Sequence, residues 1–163
     1  MEIIERIQWE EILPIWKEEL WPDRVSPIEP VSAMEYLGGY DLKLQEEEPI
    51  FFGISDDDGT ICAVNSIVRT SLFFFRSRGL WVNPEKRGQG LAKQLLQHSI
   101  GEARAQHAQG LWSAPRKSAW PAYESVGFIR TSDWFDEGME FGPNCYVLVS
   151  LIDGEIEMVG GKG

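Results

Sequence analysis

Cysteine and histidine are nearly missing from this sequence of 163 residues, which holds two of each. Cys62 and Cys145 each sit in an apolar, strand-like stretch and read as two buried thiols, not as a disulfide or a catalytic pair. His98 and His107 share one polar helical stretch and offer no ligand set for a metal. Long apolar runs are absent too, since nothing approaches the ~20 residues that span a bilayer. The opening Met1-Glu2-Ile3-Ile4-Glu5-Arg6 lacks the basic-then-apolar order of a secretory signal, so a cytoplasmic protein with no membrane attachment is expected. Basic charge is scarce, with 15 Lys and Arg against 26 Asp and Glu and a formal net charge of -11. The basic residues are also scattered, which argues against a nucleic-acid partner.

What is present is enough apolar material, 43% of residues, for one sizeable core. The expectation is a single domain over residues 1–152 followed by a frayed tail at 153–163. A short strand at Glu2 to Arg6 leads to a helix begun near Trp9 or Pro14, because Pro14 interrupts the apolar stripe. Pro22, Pro27 and Pro30 end that pattern, and Ser32 to Leu37 has the makings of a brief helix. Ile50 to Ile54 and Ile61 to Arg69 flank Asp58-Gly59 as a hairpin. Leu72 to Phe75 is core or pocket lining near a turn, and Arg78 to Val82 is the next strand. A long amphipathic helix from Leu91 to Gln109, closed by Gly110, precedes a strand at Leu111 to Ala114. A helix at Ser118 to Val126 and strands at Phe128 to Arg130 and Asn144 to Leu151 complete the chain. The order predicts an α/β fold with a mixed central sheet flanked by helices, and parallel or splayed neighbours on either side of the long helix. The acidic runs Glu46 to Glu48 and Asp56 to Asp58 read as solvated loops or as an attraction for a cationic acceptor.

The richest stretch joins strand to helix: Leu80-Trp81-Val82-Asn83-Pro84-Glu85-Lys86-Arg87-Gly88-Gln89-Gly90-Leu91-Ala92. Pro84 stops strand pairing, Gly88 and Gly90 permit positive φ, and Leu91-Ala92 open the helix. The unpaired amides of such a turn face outward together and take phosphate oxygens, helped by the partial positive charge of the helix N-terminus. Lys86 and Arg87 add positive charge beside it. A dinucleotide-binding domain uses a similar turn. Nothing downstream of Gly90, however, supplies an acidic ribose ligand on a second strand or a repeated mononucleotide half.

Two separated motifs then resemble the GCN5-related N-acetyltransferase (GNAT) superfamily across roughly Ile50 to Leu151. Arg87-Gly88-Gln89-Gly90-Leu91-Ala92 fits that family's pyrophosphate-binding pattern, and Ala122-Tyr123-Glu124-Ser125-Val126-Gly127-Phe128 is similar to its late helix and turn. The resemblance implies a GNAT-like acyl-CoA N-acyltransferase fold and acetyl-CoA as cofactor. It implies backbone amides from Gly88 to Ala92 on the pyrophosphate, with Arg87, Gln89 and Leu91 in the same clamp, and the pantetheine arm paired along Leu80, Trp81 and Val82. It also implies Tyr123 as the general acid for the departing thiolate, and direct transfer to a small-molecule or peptide amine. Homodimerisation is plausible on the same ground.

Relatives often carry an asparagine after the strand occupied here by Leu111 to Ala114; this chain has Ser113-Ala114-Pro115-Arg116-Lys117-Ser118 instead. Ser118 or Ser113 is the candidate hydroxyl for the CoA arm, and Arg116 and Lys117 are candidates for the nucleotide phosphates. A backbone donor around Val82 is expected to stabilise the developing oxyanion. Glu48, Asp56 and Glu85 are candidate bases by charge alone. Trp134 and Phe135, among Asp133, Asp136, Glu137 and Glu140, suggest an aromatic, acidic acceptor pocket that suits an alkyl or aryl amine better than a carboxylate. The competing reading keeps the fold without the reaction, as an acyl-CoA-binding protein of regulation or assembly.

Overall fold

The structure is a computed structural model and describes residues 3–31, 47–136 and 139–152. Its centre is a seven-stranded mixed sheet. The strands are β1 (Ile4–Ile7), β2 (Ile50–Ser55), β3 (Ile61–Arg69), β4 (Phe74–Val82), β5 (Gly110–Ser113), β6 (Ile129–Arg130) and β7 (Val147–Ser150), in the order β1-β2-β3-β4-β5-β7-β6. Every pairing is antiparallel except β4 with β5. The helices are α1 (Trp9–Ile15), α2 (Leu91–Ala105) and α3 (Trp120–Ser125). The brief helix expected at Ser32 to Leu37 and the tail at 153–163 lie outside the described residues.

The hairpin of β2 and β3 forms where the sequence signals it. Asp56 Oδ1 accepts from the Asp58 and Thr60 amides, and Gly59 takes a φ of +88°. The Asp56 to Asp58 run therefore builds the hairpin turn. The first helix begins at Trp9, one of the two starts expected, with Pro14 inside α1, and the chain continues as a π-helical turn over Trp16–Leu20. Strand β4 begins at Phe74, four residues before the Arg78 start expected, because Phe74 and Phe75 are buried ladder residues opposite β3 and β5.

Helix α2 ends at Ala105 and not at Gln109. The Ala108 amide bonds the Ala103 carbonyl and the His107 amide bonds Arg104, with His107 at φ +64°. This is a Schellman termination in which histidine holds the left-handed position usually given to glycine. Gly110, expected as the cap, lies in β5 instead, where an added Cβ would meet Phe74 at 2.9 Å and Leu148 at 3.0 Å.

The buried face of α2 (Leu91, Leu95, Leu96, Ser99 and Ala103) covers one face of the sheet together with Tyr123 and Phe128. α1 and the π turn cover the other through Ile12 and Trp16, packed with Phe51, Val64 and Trp81. Cys62 and Cys145 are both buried, with no disulfide between them. No helix among the described residues is long and apolar enough to cross a membrane.

Candidate active site

The site starts from one irregularity in β4. Val64 pairs with Trp81 and Ser66 with Arg78, so Gly79 and Leu80 together stand opposite Asn65. This is a bulge, and its extra residue flips the alternation of the strand. Arg76 and Arg78 precede it at alternate positions on the α1 side, where Arg78 lies over the Trp16 ring. Beyond it, Trp81 points to the α1 side and Val82 to the α2 side. Gly79 has a φ of +82°, and its carbonyl accepts from Trp16 Nε1 at 2.9 Å. A Cβ there would sit 2.2 Å from the Trp16 ring, so the close approach of the indole requires glycine.

The second irregularity is the parting of β4 and β5. Their parallel pairing stops at Arg76 opposite Trp112. Past Ser113 the chain is tied to its other neighbour: Asn144 Nδ2 donates to the Ala114 carbonyl, the Cys145 amide donates to Pro115, and Arg116 bridges Asn144. These bonds hold 114–116 away from β4, which continues to Val82 without a strand partner on that edge among the described residues. A cavity of about 430 Å³ opens in the gap. It is lined from the α2 side by Ser77, Ser113 and Tyr123 and from the α1 side by Trp21, Arg76 and Arg78, so it passes through the sheet.

Tyr123 is 2% exposed, and its hydroxyl lies 2.9 Å from Ser77 Oγ and 3.1 Å from Ser113 Oγ. Behind it, Asn65 Nδ2 donates to both Ser77 Oγ and Ser99 Oγ, while Ser99 Oγ donates to the Leu95 carbonyl. Burial pushes the phenol above its ordinary pKa, against the opposing pull of the two serine hydroxyls and the Arg76 charge. A phenol so placed is protonated at neutral pH, as an acid must be.

Arginines dominate the other end. Arg24, Arg76, Arg78 and Arg116 line the cavity against a single carboxylate, Glu140, among the described residues. Burial pushes Arg76 down to about 10. Burial and the nearby Arg76 and Arg24 charges push Arg78 down to about 9, so both remain cations at neutral pH. Arg78 donates to the Glu29 carbonyl at 2.7 Å and Arg116 to the Leu20 carbonyl at 3.2 Å. The Glu140 carboxylate is held by the Val25 amide and Ser26 Oγ, which lower its pKa.

The glycine turn lies at the other end of the β4 edge. Asn83 Oδ1 accepts from the Glu85 amide and starts a 3-10 turn over Pro84–Lys86, and Arg87 Nε donates to the Val82 carbonyl at 3.1 Å. Gly88 and Gly90 have φ of +84° and +82°, with open space where a side chain would begin. Gly90 is the N-cap of α2 and no side chain caps that end, so the first-turn amides lack a side-chain acceptor. Gln89 is exposed beside them, Leu91 is buried and Ala92 half-buried. Two left-handed glycines before an uncapped helix fit an anionic group.

Several expectations change place. Leu80 lines the cavity and Val82 does not. Ser113 faces the cavity, while Ser118 is exposed in the turn before α3. Arg116 belongs to the cavity wall, and Lys117 stands over the Trp134 ring. Trp134 and Phe135 are not in the lining, because the Phe135 backbone pairs with Asn144 and its ring packs on Tyr146; Met139 and Phe141 line the cavity instead. The charged lining of the cavity is thus mainly cationic, unlike the aromatic, acidic set expected around Trp134 and Phe135. Glu48, Asp56 and Glu85 are all outside it. Among the described residues no group of three or more His, Cys, Asp or Glu could hold a metal.

The sequence reading missed Arg24, Arg76 and Arg78. Two arginines at alternate positions followed by a glycine, in a strand otherwise apolar or hydroxyl-bearing, were the available signal of a functional bulge.

Known proteins share this fold. The structure of a GNAT-family acetyltransferase from Staphylococcus aureus is 16% identical, with 93% of this chain and 100% of that one covered at a TM-score of 0.64. Escherichia coli ElaA is 14% identical over 92% and 100% of the two chains, TM-score 0.69. An IAA acetyltransferase from Bacillus cereus is 17% identical over 92% and 99%, TM-score 0.65. At these identities the likeness speaks for the fold, and no curated protein matches the chain. The model of the acetyltransferase (GNAT) family matches residues 8–128, a span that holds the bulge, the glycine turn, α2 and Tyr123. With that match over most of its length, the chain belongs to the GNAT acetyltransferase family.

Proposed function

We propose that this protein transfers an acetyl group from acetyl-CoA to a primary amine by direct attack, without an acyl-enzyme. The observation that carries the reading is the passage through the sheet at the parting of β4 and β5, with the Tyr123 hydroxyl at its wall and the glycine turn at the end of the same strand edge. Arg76 and Val82 are six steps apart along β4, roughly 20 Å by strand rise. That open edge suits an extended, amide-bearing arm added like a strand. In this reading the Gly88 to Ala92 amides hold the pyrophosphate, and the backbone of Leu80, Trp81 and Val82 pairs with the arm. Ser113, one of the two candidate hydroxyls for the CoA arm, takes that role in place of Ser118.

The thioester supplies a carbonyl activated towards amines. Amides of the Gly79–Leu80 bulge, at the point where the ladder is irregular, are the donors for charge developing on that carbonyl. Tyr123 keeps its proton at the phenol oxygen and gives it to the departing sulfur, with Ser77 and Ser113 beside the oxygen to stabilise the charge left behind. Glu140 is committed to the Val25 amide and Ser26, which leaves water to take the proton from the amine.

Turnover of acetyl-CoA by Tyr123→Phe tests the assignment. The expected result is a kcat lower by about 100-fold or more, with acetyl-CoA affinity within about twofold of the parent. Equal turnover at saturating substrates removes Tyr123 from the acid role.

A further inference from the structure

The α1-side end of the cavity has a charge that the transfer chemistry does not require. Arg24, Arg76, Arg78 and Arg116 line it in a chain whose formal charge is -11, and among the described residues none of the four forms an ion pair. Arg24 and Arg116 spend donors on backbone carbonyls and lie over aromatic rings, as does Arg78. Arg76 lies over the Trp112 ring, but its Nε and Nη1 are shut off from solvent with no hydrogen-bond partner among the described residues. Bringing like charges together out of water is unfavourable unless a counter-charge joins them. The phosphates of a CoA arm are not that counter-charge, because the turn that fits them lies beyond Val82 at the far end of β4.

We propose that this cluster seats a carboxylate of the acceptor, so that the amine acylated here belongs to an amino-acid-like compound whose amine and carboxylate lie a few bonds apart. This rests on the acyl-transfer reading and names the acceptor class for it. A carboxylate in the cluster leaves the neighbouring amine towards the gap, on the side of the sheet opposite Tyr123. The cations also disfavour the protonated amine, which supplies the neutral nucleophile in a cavity whose one described carboxylate is engaged elsewhere. The charged and titratable groups lining the cavity are Arg76 and Arg78 from β4, Arg24 after the π turn, Arg116 before α3 and Glu140 before β7 on the amine's side, and Tyr123 of α3 across the gap.

The test compares matched compounds: phenylalanine with phenethylamine, leucine with isoamylamine, and O-phosphoethanolamine as a phosphate-bearing control. Acyl transfer is measured with acetyl-CoA, and binding is measured separately by calorimetry into CoA-saturated protein. The expected kcat/KM favours each amino acid over its decarboxylated partner by about 10- to 100-fold, mainly through KM. Arg76→Met reduces that preference to within about threefold and moves the acidic limb of the pH profile upward, towards the pKa of the free amine. Arg116→Met gives a smaller loss of preference in the same direction and serves if Arg76→Met does not fold.

Binding of phenylalanine but not phenethylamine without any transfer supports the carboxylate seat and sinks the reaction assigned above. Equal transfer to both members of each pair overturns the seat and keeps the reaction. Preference for O-phosphoethanolamine over the amino acids, or a preference unchanged in both arginine variants, also overturns it.

Discussion

Tyr123 illustrates how little a side chain says until its surroundings are known. In sequence it is one tyrosine before Gly127-Phe128; in the structure its hydroxyl meets two serines from strands that part beside it. Those serines come from β4 and β5, which are far apart in the chain, so no local pattern joins them. Gly79 is the complementary case. Its positive φ and the Trp16 ring against it fix the bulge, and with it the face on which Arg76 and Arg78 emerge. Gly79→Ala adds left-handed strain to a clash with the indole, an expected loss of about 2 to 5 kcal/mol. Urea unfolding checks this, and a loss below about 1 kcal/mol means that the bulge does not depend on glycine.

At the scale of elements, the glycine turn was the most legible part of the site because its signal is local. Gly88 and Gly90 adopt the left-handed φ that the sequence anticipated, and α2 opens at Leu91 as expected. Its other end was hidden, since a histidine takes the left-handed position while the nearby glycine serves a strand. Gly90→Val tests the turn. Nothing in the protein lies within 4 Å of an added Cβ, so the cost to folding is the left-handed strain of about 1 to 2 kcal/mol. Affinity for acetyl-CoA is expected to fall about tenfold or more, because the side chain fills the space where phosphate approaches. Unchanged affinity in a calorimetric titration removes the turn from the clamp.

At the scale of the whole molecule, the alternation of strands and helices gave away the mixed sheet, and the β4–β5 neighbours on either side of α2 are parallel and then splayed, as the element order implied. The character of the cavity was not legible. It is assembled from Arg24 after the π turn, Arg76 and Arg78 in β4, and Arg116 before α3, residues brought together only by tertiary packing. An acidic chain therefore has a cationic cavity. Its net charge, which invited a cationic partner, describes the outside of the molecule and not this interior.

The proposed reaction is transfer of an acyl group from a CoA thioester to an amine across the gap between β4 and β5. Thiol release from acetyl-CoA, followed across amines with and without a carboxylate and paired with mass spectrometry of the acceptor, tests it most directly. The account predicts release that depends on the acceptor, with a matching acetyl mass gain on its amine. Tight acetyl-CoA binding with no acceptor-dependent release or acetylated product from any amine in the panel contradicts it.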